Sequence, residues 1–527
     1  MPIEIRDAIY GDIVIGEEER RLLDTYEMQR LRHIKQLGFV QLVYPSANHS
    51  RFEHALGARW LAQKIVRISD LRLSKEDEQT LYLGALLHDV AEPCLQHVTE
   101  RLHDRGFPRH EEILGKVLDG SYRDIVMDRR GSETRFVCEV LSDDQKRNLV
   151  DTLVKQTAEK RHLRELIDGL IDCDSLDYLR RDSLYTGLPY GNYDDRIFTS
   201  FRIAKSNGDS RIAFDSGESS LSAIISVLRA RYTLRKTVYL HHTVLIADSM
   251  FIEALENAFS EKVVDQFDVF TLGEDELYQK MRQAATARTL VDQLLSRRLF
   301  KRAYVVDNKA PEALVRLIDD LTHDISRRND FMADIREKTN IDEKDILPIF
   351  HPGSSWKDFD QITLMRDNGS TVLLGDLMHE ELSLLEDNYR RLWQFILCVN
   401  REDLESRERA STACFDFFKY PSEYRPRRPP SELDNLRERL APLVQELRSE
   451  NAPVYQVLSE LINDGSGFTR EELANRLSLE PSTVSHYLTL LNQRLSTIDR
   501  EILQFQKSGK TKHWNLDPQL RELLAGV

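Results

Sequence analysis

The sequence predicts a mainly α protein: one large helical domain, a small α+β lobe, a linker and a compact C-terminal module. Three observations predict it. Apolar residues recur at helical spacing through the first 300 positions, a cluster of short strand-like runs follows, and a Pro/Arg-rich stretch precedes the tail. At 527 residues the chain has room for about three or four domains. Its 41% hydrophobic and 31% charged residues support a sizeable core and exclude wholesale disorder.

The elements follow in order. Arg21 to Leu37 carries apolar residues at helical spacing, and Gly38 stops it. A loop over 44–50 precedes a helix starting near Arg51. Ser74 opens a capping-box-like SKED run before an apolar helix ending at Leu87-His88. Residues 145–185 and 218–262 are helical with few breakers, and alternation of period two occurs only at 212–214 and around Ile13. Residues 1–300 thus form the helical domain. Residues 301–418 form the lobe, with strands at 303–306, 346–350, 361–365 and 371–374 and a long helix at about 379–398. An Asp367-Asn368-Gly369 turn joins the last two strands. Residues 419–431, with four prolines and three arginines, are a stiff linker. The tail, 432–527, holds helices at about 432–450, 453–464, 469–477 and 481–494. A hairpin from Ile502 to Trp514 is tipped by Lys507-Ser508-Gly509-Lys510.

Lys and Arg number 73 against 88 Asp and Glu, a net charge of −15, so bulk charge offers no footprint for nucleic acid or an anionic membrane. No apolar run reaches the roughly 18–20 residues needed to span a bilayer. The N-terminus lacks the basic and apolar regions of a secretory signal. Five scattered cysteines without a CxxC pair argue against a disulfide framework or thiolate zinc and suit the cytoplasm.

The strongest chemical signal is Leu86-Leu87-His88-Asp89, an imidazole and a carboxylate side by side at the end of an apolar helix. Nitrogen and oxygen donors of this kind suit a borderline divalent metal such as Mn, Fe or Zn. Ser50-Arg51-Phe52-Glu53-His54-Ala55-Leu56-Gly57 upstream and Ile171-Asp172-Cys173-Asp174 downstream supply a further His and Asp for the same ion.

With these segments the chain resembles the HD superfamily of metal-dependent phosphohydrolases, whose pattern is H…HD…D. It is similar above all to the deoxynucleoside triphosphate triphosphohydrolases, including the vertebrate type with a SAM and an HD domain. The likeness runs from about Ile5 to Lys301 and includes 24–38, SRFEHALG, LLHDV, IDCDSLDYLRRD and 235–242. It implies His54, His88, Asp89 and Asp174 as ligands to Mn, Mg, Fe, Zn or Ni. It implies His97 and His110 as histidines at the phosphates, with Glu100 where the family usually has an orienting Asp. Gln36, Tyr178 and Asp182 match groups around the deoxyribose, Arg51 and Arg231 phosphate contacts, and Tyr239 a substrate-pocket position. Asp24, Gln29 and Arg32 match an activator site that reads guanine, and Arg297 and Lys301 match nucleotide contacts at a subunit interface. The resemblance therefore implies a homo-oligomer, dimer or tetramer, that cleaves dNTPs to deoxynucleoside and triphosphate and is activated by GTP or dGTP. Independently, triphosphate hydrolysis develops charge on phosphate oxygens, for which a cation and fixed Arg donors are the expected stabilisers.

Two positions depart from the family. Glu92, in HDVAEP, replaces a usual His and resembles HD-type 5′-nucleotidases, where such a Glu positions the attacking water; it is a candidate general base. Ser175 replaces a phosphate-contacting Lys. Glu92 keeps open a second function, hydrolysis of another phosphoester.

Residues 452–516 have the pattern of a winged helix-turn-helix. Pro481 starts the recognition helix, where Ser482, Thr483, Ser485 and His486 are placed for base edges. Lys507, Lys510 and Lys512 of the wing are placed for phosphates. Contact with DNA and contact with protein stay equally open, and a third function follows, a nucleotide-sensing DNA-binding regulator.

Overall fold

An antiparallel hairpin, β1 (Ile3–Asp7) and β2 (Gly11–Ile15), begins the fold. The computed structural model describes all residues except 1, 96–98, 100–101, 103–105, 131–133, 207–208, 307–308, 352–357, 393, 402, 425–439, 441, 450–451, 464–467, 497–502, 509–510 and 517–527. The chain divides into two compact units, Met1–Arg425 and Pro426–Val527. The first is mainly helical with small sheets.

The helix expected over 21–37 is three pieces: Glu17–Leu23, Tyr26–Arg30 and a 3-10 turn at Leu31–His33. Thr25 causes the first break. It is fully buried and extended (φ −80°, ψ 157°), and its hydroxyl donates to the Leu22 carbonyl at 2.6 Å. That bond satisfies a carbonyl at the end of the first helix, and Thr25 stands at the N-cap position of the next without a side-chain capping bond.

Three helices carry the site. α1 (Arg51–Ile68) starts at Ser50, whose amide donates to Glu53 Oε2 at 2.7 Å. α2 (Lys75–Leu87) is capped by Ser74, which accepts from the Asp77 amide. α3 (Cys173–Thr186) is capped by Asp172, which accepts from the Ser175 amide at 2.6 Å, and is closed by Gly187 in the left-handed region at φ +72°. α4 (Glu218–Leu234) runs into a π-helical turn, Arg235–Tyr239, before the helix His242–Ser260.

β3 (Phe201–Ser206) and β4 (Asp209–Asp215) form a hairpin in the helical region. It continues through β7 (Thr363–Met365) and β8 (Thr371–Leu373) in the order β3-β4-β7-β8, with β4 and β7 parallel. Helical region and lobe therefore share one sheet. A second sheet has the order β5-β9-β6, from β5 (Lys301–Val306), β6 (Ile346–His351) and β9 (Gln394–Val399).

The helix expected at about 379–398 is corrected here. It ends at Arg390, and 394–399 is the central strand β9. Phe395 to Val399 are fully buried. A strand covered on both faces reads as a continuous apolar run, and periodicity alone cannot tell it from a buried helix. The linker expected at 419–431 also begins later. The Tyr304 hydroxyl donates to the Tyr420 carbonyl, the Glu423 amide donates to Val305, and Arg302 stacks 4.2 Å over the Tyr424 ring. These contacts fasten the first part of the stretch to β5; 425–431 lie outside the described residues.

The second unit contains a helix over 442–449, the helices Ala452–Asn463, Arg470–Leu477 and Pro481–Ser496, and a three-stranded sheet. That sheet has the order β10-β12-β11, from β10 (Phe468–Thr469), β11 (Leu503–Ser508) and β12 (Thr511–Leu516). Among the described residues no helix is long and apolar enough to cross a membrane.

Phe395 is packed among Tyr304, Phe331, Phe350 and Phe418, with ring centroids 5.1–6.3 Å away. Phe395→Ala should cost about 3–5 kcal/mol, read as a fall in the denaturant midpoint, because so crowded a site cannot collapse around the missing ring.

Candidate metal centre and active site

α1 presents His54 one turn after Arg51. α2 ends so that His88 is its C-cap and Asp89 the next residue. α3 presents Asp174 in its first turn, where the helix dipole favours a carboxylate. These side chains converge. His54 Nε2 lies 2.9 Å from Asp174 Oδ1 and 3.8 Å from Asp89 Oδ2. His88 Nε2 lies 3.4 Å from Asp89 Oδ1 and 3.8 Å from Asp174 Oδ1. One donor atom each of His54, His88 and Asp89 falls within 4.8 Å of the others, a spacing one ion can bridge.

The outer nitrogens decide where the inner ones point. His88 Nδ1 pairs with the Ala85 carbonyl at 2.9 Å, and His54 Nδ1 with Asp177 Oδ2 at 2.8 Å. Both Nε2 atoms are buried with no aligned hydrogen-bond partner. Two orphaned imidazole nitrogens facing two carboxylates fit a divalent metal, since burial without a partner is otherwise costly.

The electrostatics agree. Burial disfavours imidazolium at His54, but contact with Asp174 and Asp177 outweighs it and raises the pKa to about 10. Burial opposes charge on His88 too, yet Asp89 and Asp174 raise it to about 9. Burial would raise Asp174, but His54 and His88 hold it well below the usual carboxylate range. Without an ion, two protons balance the acids.

Arg51 is buried and donates from Nη1 to Asp89 Oδ2 at 2.6 Å. Glu92 is buried on the same turn as Asp89, its Oε1 4.0 Å from His110 Nε2. His110 opens the helix His110–Asp119 and is partly exposed. His97 and Glu100 lie outside the described residues.

A second cluster surrounds Asp182, which accepts from the Tyr239 hydroxyl at 2.5 Å and pairs with His49 Nε2 at 2.9 Å. His49 stacks on Tyr185 at 4.5 Å, and its carbonyl accepts from the Gln36 amide. Gln36 Oε1 is buried without a partner. The Arg231 guanidinium sits 5.9 Å from the Tyr178 ring centroid and 5.7 Å from that of Phe359, and it donates to the Leu170 carbonyl. Ser175 is fully buried and helps cap α3.

The remaining expected positions have other surroundings, each described by its own contacts. Asp24 lines a surface cleft with Arg123 and Arg135; Gln29 lines a neighbouring one with Tyr26 and Arg30, and Thr134 borders both. Arg32 donates to Gln29 and stacks 3.6 Å over Phe52. Arg297, at φ +57°, donates to the Leu42 carbonyl, and Lys301 starts β5. Ser482, Ser485 and His486 are exposed on the helix Pro481–Ser496, and Thr483 is half-buried. Lys507 and Lys512 face each other in the β11–β12 register, whereas Lys510 is outside the described residues.

Sequence reading missed His49 and Gly57. His49 sits in a loop with no periodicity to mark it. A Cβ on Gly57 would lie 1.9 Å from Asp177 Oδ1 and 2.4 Å from Arg181 Nη2, so only glycine lets α1 and α3 approach this closely.

Residues 51–182 match the HD domain model and 208–424 the HD associated region. The chain belongs to the HD-domain phosphohydrolase superfamily. The HD domain is metal-dependent, in keeping with the cluster above. An uncharacterized protein of Methanocaldococcus jannaschii is 34% identical over 298 residues, which cover 56% of this chain and 58% of that one. The deoxynucleoside triphosphate triphosphohydrolase SAMHD1 of Homo sapiens is 26% identical over 341 residues, 56% of this chain and 54% of that one. The chain thus spans little more than half the length of these curated relatives. The solved structure of a hypothetical protein from Aquifex aeolicus superposes with a TM-score of 0.60 at 24% identity, covering 78% of this chain and all of that one, a likeness of fold.

Three outcomes follow for this HD domain. Metal uptake at pH 7.5 should release close to two protons, seen as a buffer-dependent heat in calorimetry, because the carboxylates around His54 and His88 raise their pKa values to about 10 and about 9, above that pH. Both pKa values are raised over the unfolded value of about 6.5, so the stability they lend the metal-free chain is complete below that pH. It should fade as pH rises towards 9–10, which a melting series checks. Gly57→Ala should lower stability by about 1–3 kcal/mol through overpacking, read from the denaturant midpoint.

Proposed function

We propose that this chain hydrolyses deoxynucleoside triphosphates to deoxynucleoside and triphosphate, with a divalent ion held by His54, His88, Asp89 and Asp174. The observation that carries this reading is the convergence of those four side chains around two unpaired imidazole nitrogens, with Arg51 beside them. The likeness to the human deoxynucleoside triphosphate triphosphohydrolase supports the choice of substrate.

When bound, the ion neutralises charge developing on the phosphate and lowers the pKa of water at the site. Arg51, oriented by Asp89, is a fixed cation beside the ligand set for phosphate oxygens, and Arg231 adds a second. Asp182 and Tyr239 form a preset acceptor and donor for a sugar hydroxyl, and the free Gln36 Oε1 accepts another. Glu92 beside His110 can orient that imidazole and take a proton from it. His97 and Glu100 have their roles in this scheme by resemblance alone.

Asp24, Gln29 and Arg32 serve in this reading as an activator site for GTP or dGTP, completed across a dimer or tetramer interface by Arg297 and Lys301. The clefts at Asp24 and Gln29 support it. The second unit is a winged helix-turn-helix in which the β11–β12 hairpin is the wing; the helix order and the strand order β10-β12-β11 support that assignment. Exposed Ser482, Ser485 and His486 suit DNA or a protein partner.

One observation favours a second reading. Glu92 is buried next to Asp89 and acts electrostatically on Arg51, a placement suited to a general base in a phosphatase of nucleoside monophosphates.

Incubation with dGTP and Mn²⁺ should yield deoxyguanosine and inorganic triphosphate. His88→Ala and Asp89→Ala should cut turnover about a hundredfold or more, because several kcal/mol of charge stabilisation is lost. Orthophosphate from dGMP, with no triphosphate from any dNTP, would replace this reading with the second. Added GTP should raise dNTP turnover; a flat response removes the activator site. Binding of duplex DNA by residues 426–527 should weaken steeply with salt if the wing reaches phosphates.

A further inference from the structure

We propose that Asp177 is a positioning residue of the metal centre and that the N-terminal hairpin anchors it, through the contact chain Asp7–Arg181–Asp177–His54. The inference rests on the metal reading of the His54 cluster. It concerns residues that neither hold the ion nor touch the substrate in that reading.

The geometry is continuous. Asp177 Oδ2 lies 2.8 Å from His54 Nδ1 and also accepts from Arg181 Nε at 2.8 Å, while Asp177 Oδ1 accepts from Arg181 Nη2 at 3.0 Å. The far side of the same guanidinium donates from Nη1 to Asp7 Oδ2 at 2.9 Å. Asp7 ends β1, and its other oxygen accepts from the amides of Ile9 and Tyr10, so the hairpin turn holds that carboxylate. Tyr10 stacks on Trp60 of α1 at 4.3 Å, which fastens the turn to the helix that carries His54. His54, Asp177 and Arg181 have no exposed surface, and Asp7 is 7% exposed.

This arrangement does two things at His54. An acceptor at Nδ1 selects the tautomer with the proton there, which leaves the Nε2 lone pair for the ion. The bidentate Arg181 pair fixes the carboxylate plane, and hence the ring plane, from behind. Three buried charges are a costly way merely to fill space, since packed apolar residues of similar volume usually do so at least as well. Gly57 points the same way, because its missing Cβ is what admits Asp177 and Arg181 to the back of α1.

The test is Mn²⁺ alone, titrated into the full metal-free chain against a competing chelator dye. Asp177→Asn should weaken Mn²⁺ binding about 10–100-fold. Asp7→Asn keeps the oxygen that caps the turn and loses the charge facing Arg181; it should weaken binding in the same direction by less. The double variant should be no weaker than Asp177→Asn alone, because both act through one chain of contacts. Arg6→Ala removes only an exposed hairpin pair with Asp12 and should leave the affinity unchanged. Circular dichroism of each metal-free variant reads folding separately, and if Asp177→Asn fails to fold, Asp7→Asn carries the test. A folded Asp7→Asn or Asp177→Asn that binds Mn²⁺ like the natural chain overturns the inference while leaving the metal reading intact. A natural chain that takes up no Mn²⁺ overturns that reading and the inference with it.

Discussion

His54 has no exposed surface, and its two ring nitrogens face carboxylates on opposite sides, Asp177 behind and the Asp89–Asp174 pair in front. That placement is the constraint on which the first unit depends. Carboxylates this close repel one another, and burial penalises each of them, so the site stands only if positive charge lies among them. Arg51 and Arg181 supply fixed charge at the flanks. The centre is left to an exchangeable charge, protons on two imidazoles or a divalent ion.

The surrounding fold reads as support for that arrangement. α1 and α3 cross at Gly57, close enough for a helix-borne carboxylate to reach a helix-borne histidine. α2 ends where its last turn can use the Ala85 carbonyl to orient His88. Asp172 caps α3 and holds Asp174 in the first turn. Each is a local rule of helix chemistry, and together they place donors from three helices within one ion's reach. The π-helical turn that follows α4 carries Tyr239, whose phenol donates to Asp182.

The motifs LLHDV and SRFEHALG were legible because apolar helix faces and capping residues announce themselves locally. Two helix starts follow directly from such signals, near Arg51 and at Ser74. The strand β9 was not legible, since its run FILCV is apolar throughout and only its neighbours β5 and β6 make it a strand. The break at Thr25 was equally hidden, because a buried threonine standing between two helices looks like any polar residue within a helical pattern. His49 carries no signal in one dimension; what marks it is Asp182, 133 residues later.

The sequence by itself determined the superfamily, the HD metal chemistry and most of the helical framework, because those depend on short-range spacing and on residue types with few alternative uses. The tertiary structure alone decided how the Asp177–Arg181 pair of α3 meets His54 and Asp7, and it decided the Asp182 cluster and the sheet shared by helical region and lobe. Those are contacts between residues far apart in the chain. Burial, which sets both the charge state of a histidine and the pairing of a strand, is a property of the packed molecule and of no segment alone.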